Sequence, residues 1–161
     1  MSAAFSRRLA LKLLGSAAAL PAIGALSPAL AADGVGRIIV LSDLHSAYER
    51  SAQLLGALRA EIAAHAVPHI IAINGDVFES GNVVAARSAG AIDWALLKAL
   101  TGLAPVVLNI GNHEPDLTDD LSKVVEAAEA LGITVVSNII DTRSGKPYAP
   151  AVAQLALGGL Q

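Results

Sequence analysis

Between residues 37 and 138 short apolar runs alternate with longer stretches whose apolar positions recur every three or four residues. Arg37-Ile38-Ile39-Val40-Leu41-Ser42 is a β-branched run that ends in polar residues, as a buried strand does. His69-Ile70-Ile71-Ala72-Ile73-Asn74, Pro105-Val106-Val107-Leu108-Asn109-Ile110 and Ile133-Thr134-Val135-Val136-Ser137-Asn138 repeat that form. The first intervening stretch, Tyr48 to Ala64, predicts a helix with Leu54, Leu55, Leu58 and Ile62 on one side. A second helix is expected from roughly Ala85 to Leu100, with Ile92, Leu96 and Leu100 spaced by four. The third carries Leu121, Val124, Val125, Ala128 and Leu131 on its apolar face. Thr118 or Asp116 caps it, Asp119 and Asp120 occupy its first turn, and Gly132 is a natural stop. Ala151 to Leu157 reads as a further strand. The order predicts an α/β fold, a mainly parallel sheet of four or five strands flanked by helices. Near-continuous apolar strands imply that both its faces are covered.

Three polar clusters each follow one of these strands directly: Asp43-Leu44-His45, Gly75-Asp76 and Gly111-Asn112-His113-Glu114. In a parallel sheet the carboxyl ends of neighbouring strands lie on one edge, and loops from that edge converge on a site. Asp43, His45, Asp76 and Asn112 then offer carboxylate, imidazole and amide donors to one region. This mixed oxygen and nitrogen set suits Mn, Fe, Zn or Ni. Asp43 and His45 are close enough in sequence to reach one ion, and Asp76 has two oxygens with which to bridge two. Two ions about 3.5–4 Å apart activate a hydroxide and stabilise both the attacking and the leaving oxygen of an in-line displacement. Each cluster alone is commonplace; the three in this order, each behind a strand and separated by βαβ-sized intervals, are not. His69 opens its strand, about 17 Å from the Asp76 edge at roughly 3.3 Å per residue, and is excluded as a ligand. His65, near a helix end, is read as structural or solvated. Trp94 and Tyr48 read as helix packing residues. Arg87 and Asn82, beside the Asp76 loop, fit either substrate contact or a solvated loop.

Composition narrows the chemistry further. Cysteine is absent, so thiolate metal sites, disulfides and a cysteine nucleophile are excluded. Aromatic residues are 3% of the chain, too few for base-stacking platforms. The first 31 residues hold Arg7, Arg8 and Lys12 and no acidic residue, so their removal takes the net charge from −3 to −6. No basic cluster remains, and no nucleic-acid polymer is expected as a partner. These residues form a positive segment, an apolar segment from Leu13 to Leu26, and the small-x-small Ala29-Leu30-Ala31. Ser6-Arg7-Arg8-Leu9-Ala10-Leu11-Lys12 resembles a twin-arginine export signal, with Ala10 where Phe is usual. The expectation is a cleaved signal over residues 1–31, no stable membrane anchor after cleavage, and a periplasmic or extracellular protein. An uncleaved anchor is the alternative, against which Pro21, Gly24 and Pro28 interrupt the apolar stretch.

Taken together, Asp43-x-His45, Gly75-Asp76 and Gly111-Asn112-His113-Glu114 resemble the first three motifs of the calcineurin-like metallophosphoesterases. The resemblance implies the first half of an αββα sandwich over residues 36–161 and two divalent metal ions. Asp43, His45 and Asp76 hold the first ion, and Asp76 and Asn112 the second. His113 contacts the phosphate or protonates the leaving oxygen, and hydroxide between the ions attacks phosphorus. Gly75 and Gly111 allow the tight turns that present Asp76 and Asn112. Asn112-His113-Glu114-Pro115-Asp116 is similar to the 5'-nucleotidase and 2',3'-cyclic-nucleotide phosphodiesterase branch, which implies a small, nucleotide-like phosphoester as substrate. In that branch Asp116 orients His113 and stabilises its cationic form; a helix N-cap is its other reading. The family supplies further histidines after the Gly-Asn-His motif, whereas His113 is the last histidine here. The second metal site is therefore expected to be incomplete, and a C-terminal half missing. A hydrolase, a non-catalytic metal- or phosphate-binding remnant, and a half-site completed by another chain all fit that expectation. A general nucleotide-binding module does not, because no Gly-x-Gly-x-x-Gly or Gly-x4-Gly-Lys-Ser/Thr sequence follows the first strand.

Overall fold

The alternation of apolar strands and amphipathic stretches resolves, in a computed structural model that describes residues 35–158, into four strands and four helices. Residues 1–31, read as an export signal, lie outside the described residues. In chain order the elements are β1 (Arg37–Leu41), α1 (Tyr48–Ala64), β2 (His69–Asn74), α2 (Val83–Ser88) and α3 (Ala91–Thr101). β3 (Val106–Asn109), a single 3₁₀ turn (Glu114–Leu117), α4 (Leu121–Ala130) and β4 (Thr134–Val136) follow. All pairings are parallel and the strand order is β1-β2-β3-β4. Among the described residues no helix is long and apolar enough to cross a membrane.

That strand order decides which face of the sheet is covered. A right-handed crossover places its helix on one side of the sheet, and crossovers that all step in the same direction place every helix on the same side. Ile39, Leu41, Ile71, Ile73, Val106, Leu108 and Val135 share one face by register and pack in a single cluster with the helices. Leu58 of α1, Leu96, Leu97 and Leu100 of α3, and Val124, Val125 and Ala128 of α4 complete that cluster. On the other face Ile38 and Val40 are 61% and 66% exposed, and Ala72, Val107 and Thr134 are half-buried. The parallel sheet flanked by helices is as expected, but its cover is on one face: the strand order places the helices on that side and leaves Ile38 and Val40 exposed on the other.

Three local expectations change as well. The helix expected from Ala85 to Leu100 is two helices, because Ala89 and Gly90 both adopt left-handed backbone, at φ 50° and 71°. A Cβ at Gly90 would lie 2.9 Å from Leu117 Cδ1 and 3.1 Å from the Phe78 ring, so the break also lets the chain pass close to that ring. After it, the inward stripe of α3 is Asp93, Leu96, Leu97 and Leu100, while Ile92 is exposed. Neither Thr118 nor Asp116 caps α4. Asp120 does, its side chain accepting from Ser122 N at 3.1 Å, so Asp119 and Asp120 precede the helix rather than fill its first turn. Residues 151–157 add no strand to the sheet. That segment starts near the carboxyl end of β4, where Ser137 N donates to Pro150 O, and ends with Leu157 against Gly36. Ala153, Leu155 and Leu157 are half-buried and alternate with exposed neighbours, and the pairing stops at a single bridge at Leu157, so the period of two reports burial more than strand pairing.

The asymmetry of the sheet is measurable. Leu108→Ala, in the covered face, should destabilise the fold by about 2–5 kcal/mol, whereas Val40→Thr, in the open face, should change it by no more than about 0.5 kcal/mol. Urea unfolding of the two variants distinguishes them; an equal loss at Val40 would mean that this face is packed.

Candidate metal centre

The loops after β1, β2 and β3 lie side by side because their strands do. The Asp43 loop runs along the Asp76 loop: Asp43 N donates to Gly75 O (3.2 Å), His45 N to Asp76 O (3.0 Å) and Ser46 N to Val77 O (3.0 Å). This contact bends the backbone into rarely used conformations. Asp43, His45, Ser46 and Asp76 all have positive φ, and they are four of the five such non-glycine residues among those described. Residues in left-handed backbone cost about 1–3 kcal/mol each and persist only where surrounding bonds hold them.

The Asp76 side of that contact is held in turn by Glu114, which is fully buried. Its carboxyl accepts the N–H groups of Asp76 (3.1 Å), Val77 (2.8 Å) and Gly111 (2.5 Å), joining the second loop to the third. Asp76 Oδ1 accepts the N–H of His113 at 2.9 Å, a further tie between the same two loops. The two motif glycines face each other at this seam. A Cβ at Gly75, whose φ is 75°, would lie 2.7 Å from Gly111 Cα, and one at Gly111 would lie 2.7 Å from Asp76 N. Gly75 therefore serves both a left-handed turn and close approach. Gly111 does not have positive φ and serves close approach alone, which amends its expected role in a turn.

The side chains so positioned form a compact set. Asp43, His45 and Asp76 each bring one donor atom within 4.8 Å of the others. His45 Nε2 is 3.7 Å from Asp43 Oδ1, and Ser42 Oγ donates to Asp43 Oδ2. The His45 and His113 rings stand edge to face, with centroids 4.8 Å apart. Asn112 sits between Gly111 and His113, exposed, and carries no side-chain hydrogen bond among the described residues. His113 Nδ1 meets Asp116 Oδ2 at 2.9 Å, and Asp116 also accepts from Ser80 N and Ser80 Oγ. Asp116 is thus the imidazole's partner, and its reading as a helix N-cap is set aside.

Asp76 Oδ1 accepts the His113 N–H, and Oδ2 has no hydrogen-bond donor among the described residues. Two carboxylates and an imidazole within reach of one point make a donor set that divalent Mn, Fe, Zn or Ni fits. Such oxygen and nitrogen donors on the carboxyl edge of a parallel sheet form a candidate metal centre. Residues 36–148 match the family model described as calcineurin-like phosphoesterase, and the chain belongs to that family. No curated protein and no solved structure matches it. The family's chemistry is metal-dependent hydrolysis of phosphoesters.

Several residues that shape this region carry no signal in the sequence. Glu79 Oε2 lies 3.3 Å from His45 Nδ1 and 3.8 Å from His113 Nδ1. Asp93 of α3 is 3% exposed and accepts from Tyr48 OH (2.6 Å) and Ser46 Oγ (3.2 Å). Burial pushes the Asp93 carboxyl above the usual range, against the opposing effect of those two bonds, and burial beside Asp93 pushes Tyr48 up to about 12. Tyr48 is more than a packing residue for this reason, while Trp94 packs on Phe78 as expected. Asn82 caps α2, accepting from Val84 N and Ala85 N, and donates to Ser46 O. His69 is buried at the opposite edge of the sheet, with Nε2 unpartnered, consistent with a structural role. His65 Nδ1 pairs with Glu61 O at the end of α1.

The Asp116 bond raises His113 above its ordinary value, and the same bond holds Asp116 below the usual carboxylate range. The pair therefore supports the fold most fully between the ordinary values of the two groups, about 4 and about 6.5. That support fades as pH falls through the lowered Asp116 value and as it rises through the raised His113 value. Asp116→Asn should bring the His113 titration down towards about 6.5, read by NMR on the metal-free chain; a titration left where it was would remove Asp116 as the cause.

Proposed function

We propose that this chain is an exported hydrolase of small, nucleotide-like phosphoesters. Asp43, His45, Asp76 and Asn112 are its metal donors, and His113 with Asp116 is its acid pair. The observation that carries this reading is the convergence of Asp43, His45 and Asp76 within 4.8 Å, beside a His113 ring 4.8 Å from that of His45. Divalent ions, when bound, supply positive charge that stabilises phosphoryl oxygens and the attacking and leaving groups.

Asp43 and Asp76 contribute the negative charge that selects cations here, and the fixed loops keep both carboxyls in place before a cation arrives. Asp76 serves a second purpose through Oδ1, which anchors the His113 backbone beside the metal donors. His113 gives Nδ1 to Asp116, so Nε2 on the far side of the ring is the atom from which a proton passes to the leaving oxygen. The Asp116 carboxylate raises His113 above its ordinary value and so favours the protonated ring. Asp116, tied to Ser80, fixes the orientation of the ring.

The preference for nucleotide-like esters rests on the Asn112-His113-Glu114-Pro115-Asp116 pattern together with the His113–Asp116 bond. Export rests on the basic, apolar and small-x-small arrangement of residues 1–31. With Mn or Zn added, the purified chain should hydrolyse a generic phosphoester and a nucleotide monophosphate, and Asp76→Asn should remove the activity. Uptake of a single ion without turnover would favour the rival reading, a binding remnant or a half-site. Equal turnover in Asp76→Asn would end the metal mechanism. Replacing Arg7 and Arg8 together with Lys should retain the protein inside the cell; cell fractionation checks this, and undiminished export would sink the twin-arginine reading.

A further inference from the structure

We propose that Glu79 is a positioning residue that holds the His45 imidazole in its Nδ1–H tautomer, with Nε2 facing Asp43, and that Ser46 and the buried Asp93 hold Glu79 in place. The inference rests on the reading of Asp43, His45 and Asp76 as metal donors and deepens it.

A neutral imidazole has one nitrogen that donates and one that accepts. The two nitrogens of His45 face two different carboxyls: Nδ1 lies 3.3 Å from Glu79 Oε2, and Nε2 lies 3.7 Å from Asp43 Oδ1. If Nδ1 carries the proton, its N–H lies beside the Glu79 carboxylate in an ion-pair contact rather than an aligned hydrogen bond, and the Nε2 lone pair is on the side where Asp43 supplies the next donor. An imidazole that ligates a metal commonly gives its other N–H to a carboxyl or carbonyl group, which fixes ring and tautomer together.

Each oxygen of Glu79 has its own partner. Oε1 accepts the N–H of Gly81 at 2.7 Å, which sets the plane of the carboxyl and leaves Oε2 for His45. His113 Nδ1 is 3.8 Å from the same Oε2, but it is bonded to Asp116 at 2.9 Å. That bond leaves Glu79 to His45. It also argues against an ion held by His45, Glu79 and His113, although those three side chains bring donor atoms within 4.8 Å.

The backbone of Glu79 is fixed in turn. Its N–H donates to Ser46 Oγ at 3.1 Å, and Ser46 Oγ donates to Asp93 Oδ2 at 3.2 Å. Ser46 and Asp93 are 2% and 3% exposed, so water does not compete for these bonds. Asp93 stands on α3, whose neighbours Leu96, Leu97 and Leu100 are in the core. A rigid helix is thereby linked through Ser46 to the carboxyl that faces the proposed ligand.

The test uses the full chain with Glu79→Ala, Glu79→Gln and Ser46→Ala, and with Asp43→Ala as a separate control. In the metal-free protein at about pH 9, where imidazole is neutral, nitrogen NMR reports the His45 tautomer. Calorimetry reports Zn and Mn affinity, and circular dichroism confirms that each variant is folded. Glu79→Ala should shift His45 towards the Nε2–H tautomer and weaken metal binding by about 10–100-fold. Glu79→Gln, which keeps an accepting oxygen, should recover much of both, and Ser46→Ala should lie between. An unchanged His45 tautomer in folded Glu79→Ala, or unchanged metal affinity where the unsubstituted chain binds metal, overturns the proposal. If Asp43→Ala also binds metal undiminished, the metal-donor reading fails instead. If Asp43→Ala loses the metal and Glu79→Ala does not, only the role of Glu79 fails. The tautomer decides the role of Glu79 even in a chain that binds no metal.

Discussion

Three backbone N–H groups from two loops point at one buried carboxyl, that of Glu114. Without it, Asp76, Val77 and Gly111 would each keep a donor in a region where water is scarce, at about 1–3 kcal/mol for each buried one. The bond does more than satisfy donors. It closes the seam between the loops after β2 and β3 so tightly that Gly75 and Gly111 touch through their backbones. Only at that separation does Asp76 Oδ1 reach the His113 N–H. The distance between Asp76 and the His113–Asp116 pair is therefore set by a third, fully buried residue, Glu114.

Strain on the other side of Asp76 has the same origin. Asp43, His45 and Ser46 occupy left-handed backbone in order to pair with Gly75, Asp76 and Val77. Each pays in conformational energy for a hydrogen bond and for side chains turned to one point. The buried Asp93, bonded to Ser46 and Tyr48, secures the far end of that loop. The site is thus held from two directions: Glu114 clamps the second loop to the third, and Asp93 ties the first loop to α3.

The parts of this arrangement legible in the sequence were those with a fixed link to backbone period. Four strands stand where β-branched runs lie, and the donors Asp43, His45 and Asp76 meet because each follows such a run. What escaped depends on rotation or on contact partners. Asp93 stands three and four residues before the buried Leu96 and Leu97 and so lies on the inward side of α3, but nothing in its spacing names Tyr48 and Ser46 as its partners. Glu79 sits in a polar loop with nothing to mark it apart from Ser80 or Asn82, and its role depends on which atoms face it. Glu114 was visible inside its motif, but no spacing rule says that an acid there should be buried and bind backbone. The strand order, which decides which face of the sheet is bare, is likewise not written in any local pattern.

Strand order also explains why Asp76 has the central role. With β2 lying between β1 and β3, its loop is hydrogen-bonded to both of the others. Asp76 O accepts from His45 N on one side, while Asp76 Oδ1 accepts from His113 N on the other. The same uniform order gathers the helices on one face and leaves Ile38 and Val40 bare on the other, yet no site residue depends on that bare face. Every hydrogen bond that fixes the donors runs along the carboxyl edge of the sheet or back into the helical side. Among the described residues, the geometry of the centre is therefore set by the carboxyl edge and the covered side of the sheet.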